Sequence, residues 1–219
     1  MKCFPLILFL FFSVCGGLWA QPSADSLFAV VPREVLPVLD RTARLDLSDL
    51  YDGGLPARAE NVFGGQAELL VKTADFVSLR TSDVGLWQMK VLPWGQQDAV
   101  VVCVRTLLRG GAPSVVSAFD GHWRSLRADW LPQPAPAFFF REDEVRTDSA
   151  GQVFCSLIEG LPVVAEWQDG GKVLVFRKDV AGLGLEDRER AERLLRPVAY
   201  EWREGRFERI EYFIQVSQV

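Results

Sequence analysis

The sequence is poor in the residues that build common catalytic and metal sites. It has one histidine, His122, and four cysteines, and none of the cysteines forms a CxxC pair. Zinc sites need several Cys and His ligands at short spacings, and the nucleophile elbow of many hydrolases needs a G-x-S-x-G segment. The chain contains neither pattern. These classes of enzyme are therefore excluded, and we expect no metal site, no cofactor and no assignable catalytic residue.

A nucleotide-binding loop is also missing. The segment GLGL at 182–185 precedes a predicted helix, as phosphate loops do, but Glu186 and Asp187 occupy the first turn of that helix. Their charges complement the helix dipole and would repel a bound phosphate. The sequence therefore argues against nucleotide binding at this segment.

No excess of basic residues is present. The chain has 24 Lys and Arg against 29 Asp and Glu, and the two signs are mixed along its length. Nucleic-acid-binding proteins need a basic face. We therefore expect no nucleic-acid partner.

The one long apolar run lies at the N terminus. Residues 1–20, MKCFPLILFLFFSVCGGLWA, combine one lysine, an apolar core and a small residue, Ala20, before a polar stretch. This pattern is typical of a cleaved secretory signal. The core is about half as long as a membrane-spanning helix, so a retained anchor is the weaker alternative and no transmembrane segment is expected after cleavage.

A lipid anchor at Cys15 is the other alternative for export. A bacterial lipobox has leucine three residues before the cysteine and a small residue directly before it, whereas this chain has Phe12 and Val14 there. The sequence thus favours an exported protein of the periplasm or cell envelope over a lipoprotein.

The spacing of apolar residues predicts an α+β fold. Helical spacing between residues 32 and 52 predicts two short helices, 32–40 and 46–52, with Asp46 as the cap of the second. From Ala67 onward the period becomes two, which predicts antiparallel strands in AELLVK, DFVSLRT, VGLWQMKVL, AVVVCVRTLL and PSVVSAF. The continuous apolar run VVVCV predicts a strand covered on both faces.

A proline-rich stretch at 132–145 divides this first β-meander from a second one. The second is predicted from strands at QVFCSLIEG, PVVAEWQ and KVLVFRK, a helix at 186–196 and two closing strands. We therefore predict about 10–11 strands in antiparallel meanders, with the N-terminal helices and one late helix packed on the sheet. The predicted organisation is a signal peptide at 1–20, helices and first meander at 21–131, the connection at 132–145 and the second meander at 146–219, forming one compact unit.

Two cysteines, Cys103 and Cys155, remain after signal removal, and both lie in apolar runs. An oxidising envelope permits a disulfide between them, which would stabilise the fold by roughly 4 kcal/mol in the chain-entropy treatment. The alternative is two buried free thiols, which pack as small apolar groups.

Three segments share the order strand, acid-glycine turn, strand: SAFDGHWRSL, AEWQDGGKVLVF and YEWREGRFERI. Asp-Gly and Glu-Gly suit two-residue hairpin turns. In the first segment, this places Phe119 opposite His122; in the third, it places Trp202 opposite Phe207. His122 is therefore predicted to flank a turn at the surface, and its catalytic use is the alternative.

Tryptophans near loops and hairpin ends supply the candidate binding residues: Trp94, Trp130 and Trp202. Exposed aromatic rings can stack on sugars or anchor a partner protein. The alternative is that Trp130 and Phe138–Phe140 cover a sheet edge or fill a small second core.

Acidic clusters are present but lack a specific pattern. Asp46, Asp49 and Asp52 recur every third residue on a predicted helix, whereas a calcium site needs a curled loop with a distal bidentate acid. Glu142-Asp143-Glu144 is the densest cluster and is predicted to be a solvated loop. Paired carboxylates for glycoside hydrolysis remain an alternative.

Three stretches carry a resemblance to a known family: VVPREVLPVLDRTARLDLSDLYDGG, GGQAELLVKTADFVSLRTSDVGLWQMKVLP and LRPVAYEWREGRF. In these stretches and their order, the chain resembles an uncharacterised domain-of-unknown-function family of secreted Bacteroidales proteins. The resemblance implies export to the envelope of a Gram-negative bacterium. It implies no activity and no catalytic residues.

Two functional classes follow from the sequence. The first is an exported, non-enzymatic binding or assembly module that holds an envelope protein, a peptide or a glycan with its sheet face or aromatic loops. The alternative is a periplasmic hydrolase that depends on carboxylates or on His122. The first predicts a shallow aromatic face, and the second predicts a deep pocket with convergent acids.

Overall fold

The computed structural model of the protein describes residues 22–95, 98–109, 111–127, 131–141 and 149–212. It is an α+β fold with two antiparallel sheets, as predicted. The helices are α1 (Ala24–Ala29), α2 (Arg41–Asp52), α3 (Ser149–Glu159) and α4 (Leu185–Leu194), with a 3-10 turn at Pro136–Phe139. None of the described helices is long and apolar enough to cross a membrane.

The first sheet has six strands in sequence order, and the second has four in the order β10-β9-β8-β7. Both are meanders, because every neighbouring pair is antiparallel and follows in sequence. The first sheet contains β1 (Arg58–Glu60), β2 (Gln66–Lys72), β3 (Phe76–Ser82), β4 (Gly85–Trp94), β5 (Asp98–Leu107) and β6 (Val115–Asp120). The second contains β7 (Val163–Gln168), β8 (Val173–Lys178), β9 (Val198–Arg203) and β10 (Arg206–Ile210).

The six-stranded sheet is the middle layer of the molecule. Along β5, Val101 and Cys103 pack under α1, α2 and the segment between them, whereas Val100, Val102 and Val104 pack against the second sheet. Successive strand residues point to opposite faces, so a strand that is covered on both sides must be apolar throughout. The prediction that VVVCV lies inside the sheet with both faces covered is confirmed.

The second sheet meets the first through the edge of β7. Gln88 on β4 donates from Nε2 to the Trp167 carbonyl at 2.9 Å and accepts from the Trp167 N–H at 2.7 Å. Thr106 on β5 donates to the Ala165 carbonyl at 2.7 Å, and Ser114 accepts from the Ala165 N–H at 2.8 Å. We call Gln88, Thr106 and Ser114 the side-chain ladder. It gives β7 the hydrogen bonds that another strand would otherwise provide.

The predicted N-terminal helices are only partly right. Residues 32–40 form turns instead of a helix, because Pro37 has no N–H to donate and disfavours a helical conformation in the residue before it. The second helix exists but begins earlier, at Arg41, and its cap is Asp40, which accepts from the Ala43 N–H at 2.8 Å. Asp46 therefore lies inside α2 and does not cap it.

The predicted strand at QVFCSLIEG is wrong, because these residues form most of α3. Phe154, Cys155 and Ile158 are buried against Ala191 of α4. This spacing is helical, but a short apolar run alone does not separate a strand from a buried helix. The late helix predicted at 186–196 is confirmed as α4, with its end at Leu194.

Hairpins form at two of the three predicted acid-glycine segments, but only the β9–β10 hairpin has the predicted two-residue turn. Glu204 and Gly205 form the turn between β9 and β10, and Trp202 pairs with Phe207. The β7–β8 turn spans residues 169–172. At Asp120 the two-residue turn is wrong, since Phe119 pairs with Ser125 and not with His122.

Candidate functional site

The structure brings together two of the three predicted binding tryptophans. Trp94 is the last residue of β4, and Trp202 lies near the end of β9, in the other sheet. Their ring centroids are 6.3 Å apart and the rings are tilted by 47°. The indole N–H of Trp202 donates to the Pro93 carbonyl at 3.1 Å. This bond holds one ring against the other across the junction of the sheets.

The contact continues inward as a row of four rings. Trp202 meets Phe207 edge-on at 5.0 Å, and Phe207 lies 6.1 Å from Trp167. We call Trp94, Trp202, Phe207 and Trp167 the aromatic row. Trp94 is 40% exposed and Trp167 is 2% exposed, so the row runs from the surface into the core shared by the two sheets. Its outer rings are therefore supported from below by packed side chains.

Two charged pairs lie on the face of β9 and β10 opposite to the row. Arg203 is bonded to Glu201, and Arg206 donates to Glu208 at 2.8 Å. The Arg209 guanidinium lies 4.1 Å from the ring centre of Phe138, where it makes a cation–π contact. Arg209 lies on the same face of β10 as Phe207, whereas the two Arg–Glu pairs lie on the other face. The third predicted residue, Trp130, lies outside the described residues.

His122 is exposed on the turn after β6, as predicted. The neighbouring Asp120 carboxylate accepts from the backbone N–H groups of His122 and Arg124, both at 2.9 Å, and from Arg124 Nε at 2.6 Å. Slight burial raises the pKa of Asp120, but these hydrogen bonds and the Arg124 charge outweigh it and lower the pKa below its ordinary value. Asp120 therefore organises the turn, and within the described residues it makes no bond to the imidazole ring of His122.

The possible disulfide between Cys103 and Cys155 is not formed. Both are buried free thiols, and they belong to different clusters, Cys103 under the N-terminal helices and Cys155 between α3 and α4. Burial raises the pKa of the Cys103 thiol far above its ordinary value. A neutral, buried thiol is a poor nucleophile and a poor metal ligand.

The acids of α2 line an open groove of about 720 Å³ between this helix and β1. Asp46 and Asp49 of α2 line one side of the groove, and Arg58 and Glu60 of β1 line the other. Asp52 instead accepts from Lys72 at 2.8 Å. No group of His, Cys, Asp and Glu in the described ranges is arranged to hold a metal ion. The predicted cluster at 142–144 lies outside the described residues.

A smaller cleft opens on the helix-covered face of the first sheet, at its β5–β6 end. Its volume is about 210 Å³. Trp87, Cys103 and Phe119 form the apolar lining contributed by the sheet, and Glu34 and Arg105 lie at its rim. We call it the Cys103 cleft. The sequence pattern did not predict this cleft, although Cys103, Arg105 and Ser117 are polar or small residues on an otherwise apolar strand face.

Comparison with known proteins identifies the family. The family model described as a protein of unknown function, DUF3256, matches residues 17–207. The chain belongs to the DUF3256 family. This confirms the predicted resemblance to a family of unknown function. No curated protein matches this DUF3256 chain.

A solved structure shares the DUF3256 chain's fold. It is a domain of an uncharacterized protein from Porphyromonas gingivalis W83, with a TM-score of 0.72 and 26% sequence identity. The match covers 87% of the DUF3256 chain and 100% of the other chain. The likeness therefore extends over most of the DUF3256 chain.

Proposed function

We propose that the protein is an exported, non-enzymatic binding module that holds a polypeptide partner at the outer end of the aromatic row. The observation that carries this proposal is the contact of Trp94 with Trp202. These residues are far apart in sequence and lie on different sheets, yet their rings meet at 6.3 Å on a partly exposed surface. Large, rigid aromatic groups of this kind supply much of the binding energy in protein interfaces.

The packing under the rings supports a binding role over a purely structural one. Trp202 is fixed by its bond to the Pro93 carbonyl and by its edge-on contact with Phe207. A ring that is already immobilised loses little conformational entropy when a partner binds. Trp94 remains 40% exposed above this support and is the natural anchor.

The shape of the surface favours a polypeptide over a glycan. A sugar stacks on one flat ring face, whereas Trp94 and Trp202 are tilted by 47° and Trp202 and Phe207 by 72°. Tilted rings form a notched surface that suits protruding side chains. The Arg209 guanidinium, on the same face of β10 as Phe207, supplies a polar group of the kind that is usual around such anchors.

The hydrolase alternative gains no support from the surroundings of His122. Its neighbour Asp120 is occupied by Arg124 and by backbone N–H groups, and neither of the two clefts described above includes His122 in its lining. Catalytic bases are normally oriented by a partner and lie within a pocket.

Export is proposed from the signal-like segment at residues 1–20. A structural relative comes from Porphyromonas gingivalis, a member of the Bacteroidales, which is the group that the sequence resemblance names. The mature protein would then meet its partner in the periplasm or at the envelope.

The test is a selection from a displayed peptide library on the mature protein, followed by calorimetric measurement of the selected peptides. Trp94→Ala should weaken binding by about 2 kcal/mol, or about thirtyfold in Kd, while the urea midpoint stays near that of the parent. Phe63→Ala is the matched control, because Phe63 is 77% exposed and lies outside the aromatic row. It should bind as the parent does.

Two results would contradict the proposal. Equal loss of affinity in Trp94→Ala and Phe63→Ala would mean that exposed aromatics bind peptides without specificity. Enrichment of no peptide, together with Trp94-dependent binding on a glycan array, would replace the polypeptide partner by a glycan.

A further inference from the structure

The Cys103 cleft is built by one cross-strand row of the first sheet and by the segment before α2. Register pairs Trp87 with Arg105, and Arg105 with Val115, so these three side chains lie side by side on one face of the sheet. Cys103 pairs with Ser117 in the next row. The segment between α1 and α2 closes the other side of the cleft.

The interior of the cleft is apolar. Trp87 is 1% exposed and Cys103 is 4% exposed, and Val35 and Phe119 are partly buried walls. Burial raises the pKa of the Cys103 thiol, so the sulfur stays neutral and packs as a small apolar group. The interior therefore favours a hydrocarbon group and offers no ionised ligand for a metal.

The rim carries two opposite charges. Glu34 comes from the segment before α2 and Arg105 from β5, and both line the cleft from an exposed position. Within the described part of the chain, neither makes an ion pair or a side-chain hydrogen bond. Opposite charges that share a cleft without pairing with each other leave one cation site and one anion site beside an apolar interior.

The size of the cleft limits what can enter. A cavity of roughly 150 Å³ is large enough for benzene, and pockets for drug-sized ligands begin at about 300 Å³. At about 210 Å³, the Cys103 cleft suits one aromatic or branched aliphatic side chain with a few more atoms.

We propose that the Cys103 cleft binds a free α-amino acid with an apolar side chain. The carboxylate lies at Arg105, the ammonium group at Glu34 and the side chain against Trp87, Cys103 and Phe119. This site is separate from the aromatic row and does not depend on the function proposed for it. A peptide terminus carries only one of the two charges, so it could pair with Glu34 or with Arg105 but not with both.

The experiment is a calorimetric titration of the mature protein with L-phenylalanine and L-leucine. Two further ligands separate the charges: L-phenylalaninamide lacks the carboxylate, and N-acetyl-L-phenylalanine lacks the ammonium group. We expect saturable binding of one free amino acid per chain. Each blocked ligand should bind about tenfold or more weakly, because each loses a charged hydrogen bond.

Three variants complete the design. Arg105→Gln and Glu34→Gln should each weaken L-phenylalanine binding by about tenfold or more. Arg109→Gln removes an exposed arginine outside the cleft and should leave binding unchanged. Urea midpoints check that all three variants remain folded, which is expected for exposed positions.

The proposal is overturned if the parent protein shows no saturable binding of either amino acid. It is equally overturned if N-acetyl-L-phenylalanine or the amide binds as tightly as the free amino acid, since the ligand would then be a peptide end. Parent-like affinity in either Arg105→Gln or Glu34→Gln also contradicts it.

Discussion

Replacement of Gln88 by methionine should separate the hydrogen bonds of the side-chain ladder from its packing. Gln88 is 4% exposed and bonds both backbone groups of Trp167, at 2.9 and 2.7 Å. Methionine has a similar length and volume, so little cavity is expected. The substitution leaves one buried N–H and one buried C=O without their partner. Each of these two groups costs about 1–3 kcal/mol, so we expect a loss of about 2–6 kcal/mol.

The assay is urea unfolding followed by tryptophan fluorescence. With an m value of about 2 kcal/mol/M, a loss of 3 kcal/mol shifts the midpoint by about 1.5 M. Gln66→Met is the matched control, because Gln66 is an exposed strand residue, and it should change stability by no more than about 0.5 kcal/mol. A loss below about 1 kcal/mol in Gln88→Met would refute the idea that these bonds join the sheets.

A second variant at the same position checks the sign of the effect. A glutamate at 88 can accept from the Trp167 N–H, but it can donate to the Trp167 carbonyl only when protonated. Burial raises the pKa of such a carboxyl, so its folded form binds a proton more tightly than its unfolded form. Gln88→Glu should therefore lose stability relative to the parent as pH rises above about 4. A pH-independent difference would contradict this reasoning.

Two further predictions concern other parts of the fold. Partial burial raises the pKa of Asp75, but its hydrogen bond and charge contact with Lys90 outweigh it, so the pKa lies below its ordinary value. As pH falls, Asp75 is therefore protonated in the unfolded chain before it is protonated in the folded one, so the stability of the parent should decline below about pH 4. This decline should be less steep in Asp75→Asn than in the exposed control Asp83→Asn. Equal declines of the two variants in acid unfolding would exclude a role for the Asp75–Lys90 pair. In the β7–β8 turn, Gly170 and Gly171 both have positive φ, but only a Cβ at Gly171 would meet the Phe76 ring, at 2.6 Å. Gly170→Ala should lower the free energy of unfolding by about 1 kcal/mol, and Gly171→Ala should lower it by more. Equal shifts of the two variants in thermal unfolding would show that a side chain at 171 does not clash with Phe76.

The strands were predictable because their period is local. In β5 the continuous apolar run VVVCV and in β9–β10 the Glu-Gly turn carry the information within a few residues. The strand predicted at Cys155 failed because the apolar run at 153–158 fits a strand or a helix, and packing against Ala191 of α4 selects the helix. At Asp120, the side chain binds two backbone N–H groups and widens the expected two-residue turn.

The candidate sites were less predictable than the fold. Trp94 and Trp202 could be proposed one at a time from their positions near strand ends, but their contact depends on how the two sheets pack. The Cys103 cleft depends on a gap between the segment before α2 and the sheet. Such a gap is set by the path of a turn-rich segment that contains Pro32 and Pro37, and no local period specifies that path.

The side-chain ladder restricts which residues the first sheet can carry at three positions, but it does not restrict the side chains of β7 in the second sheet. Gln88, Thr106 and Ser114 bind only main-chain atoms of β7, and every amino acid except proline supplies the same N–H and C=O groups. The side chains of β7 can therefore change without altering this contact, provided that their own packing is kept. The three ladder residues have no such freedom, because a compensating substitution on β7 cannot move a backbone donor or acceptor. A contact of this kind leaves no pair of co-varying side chains, although it joins residues 79 positions apart in the chain.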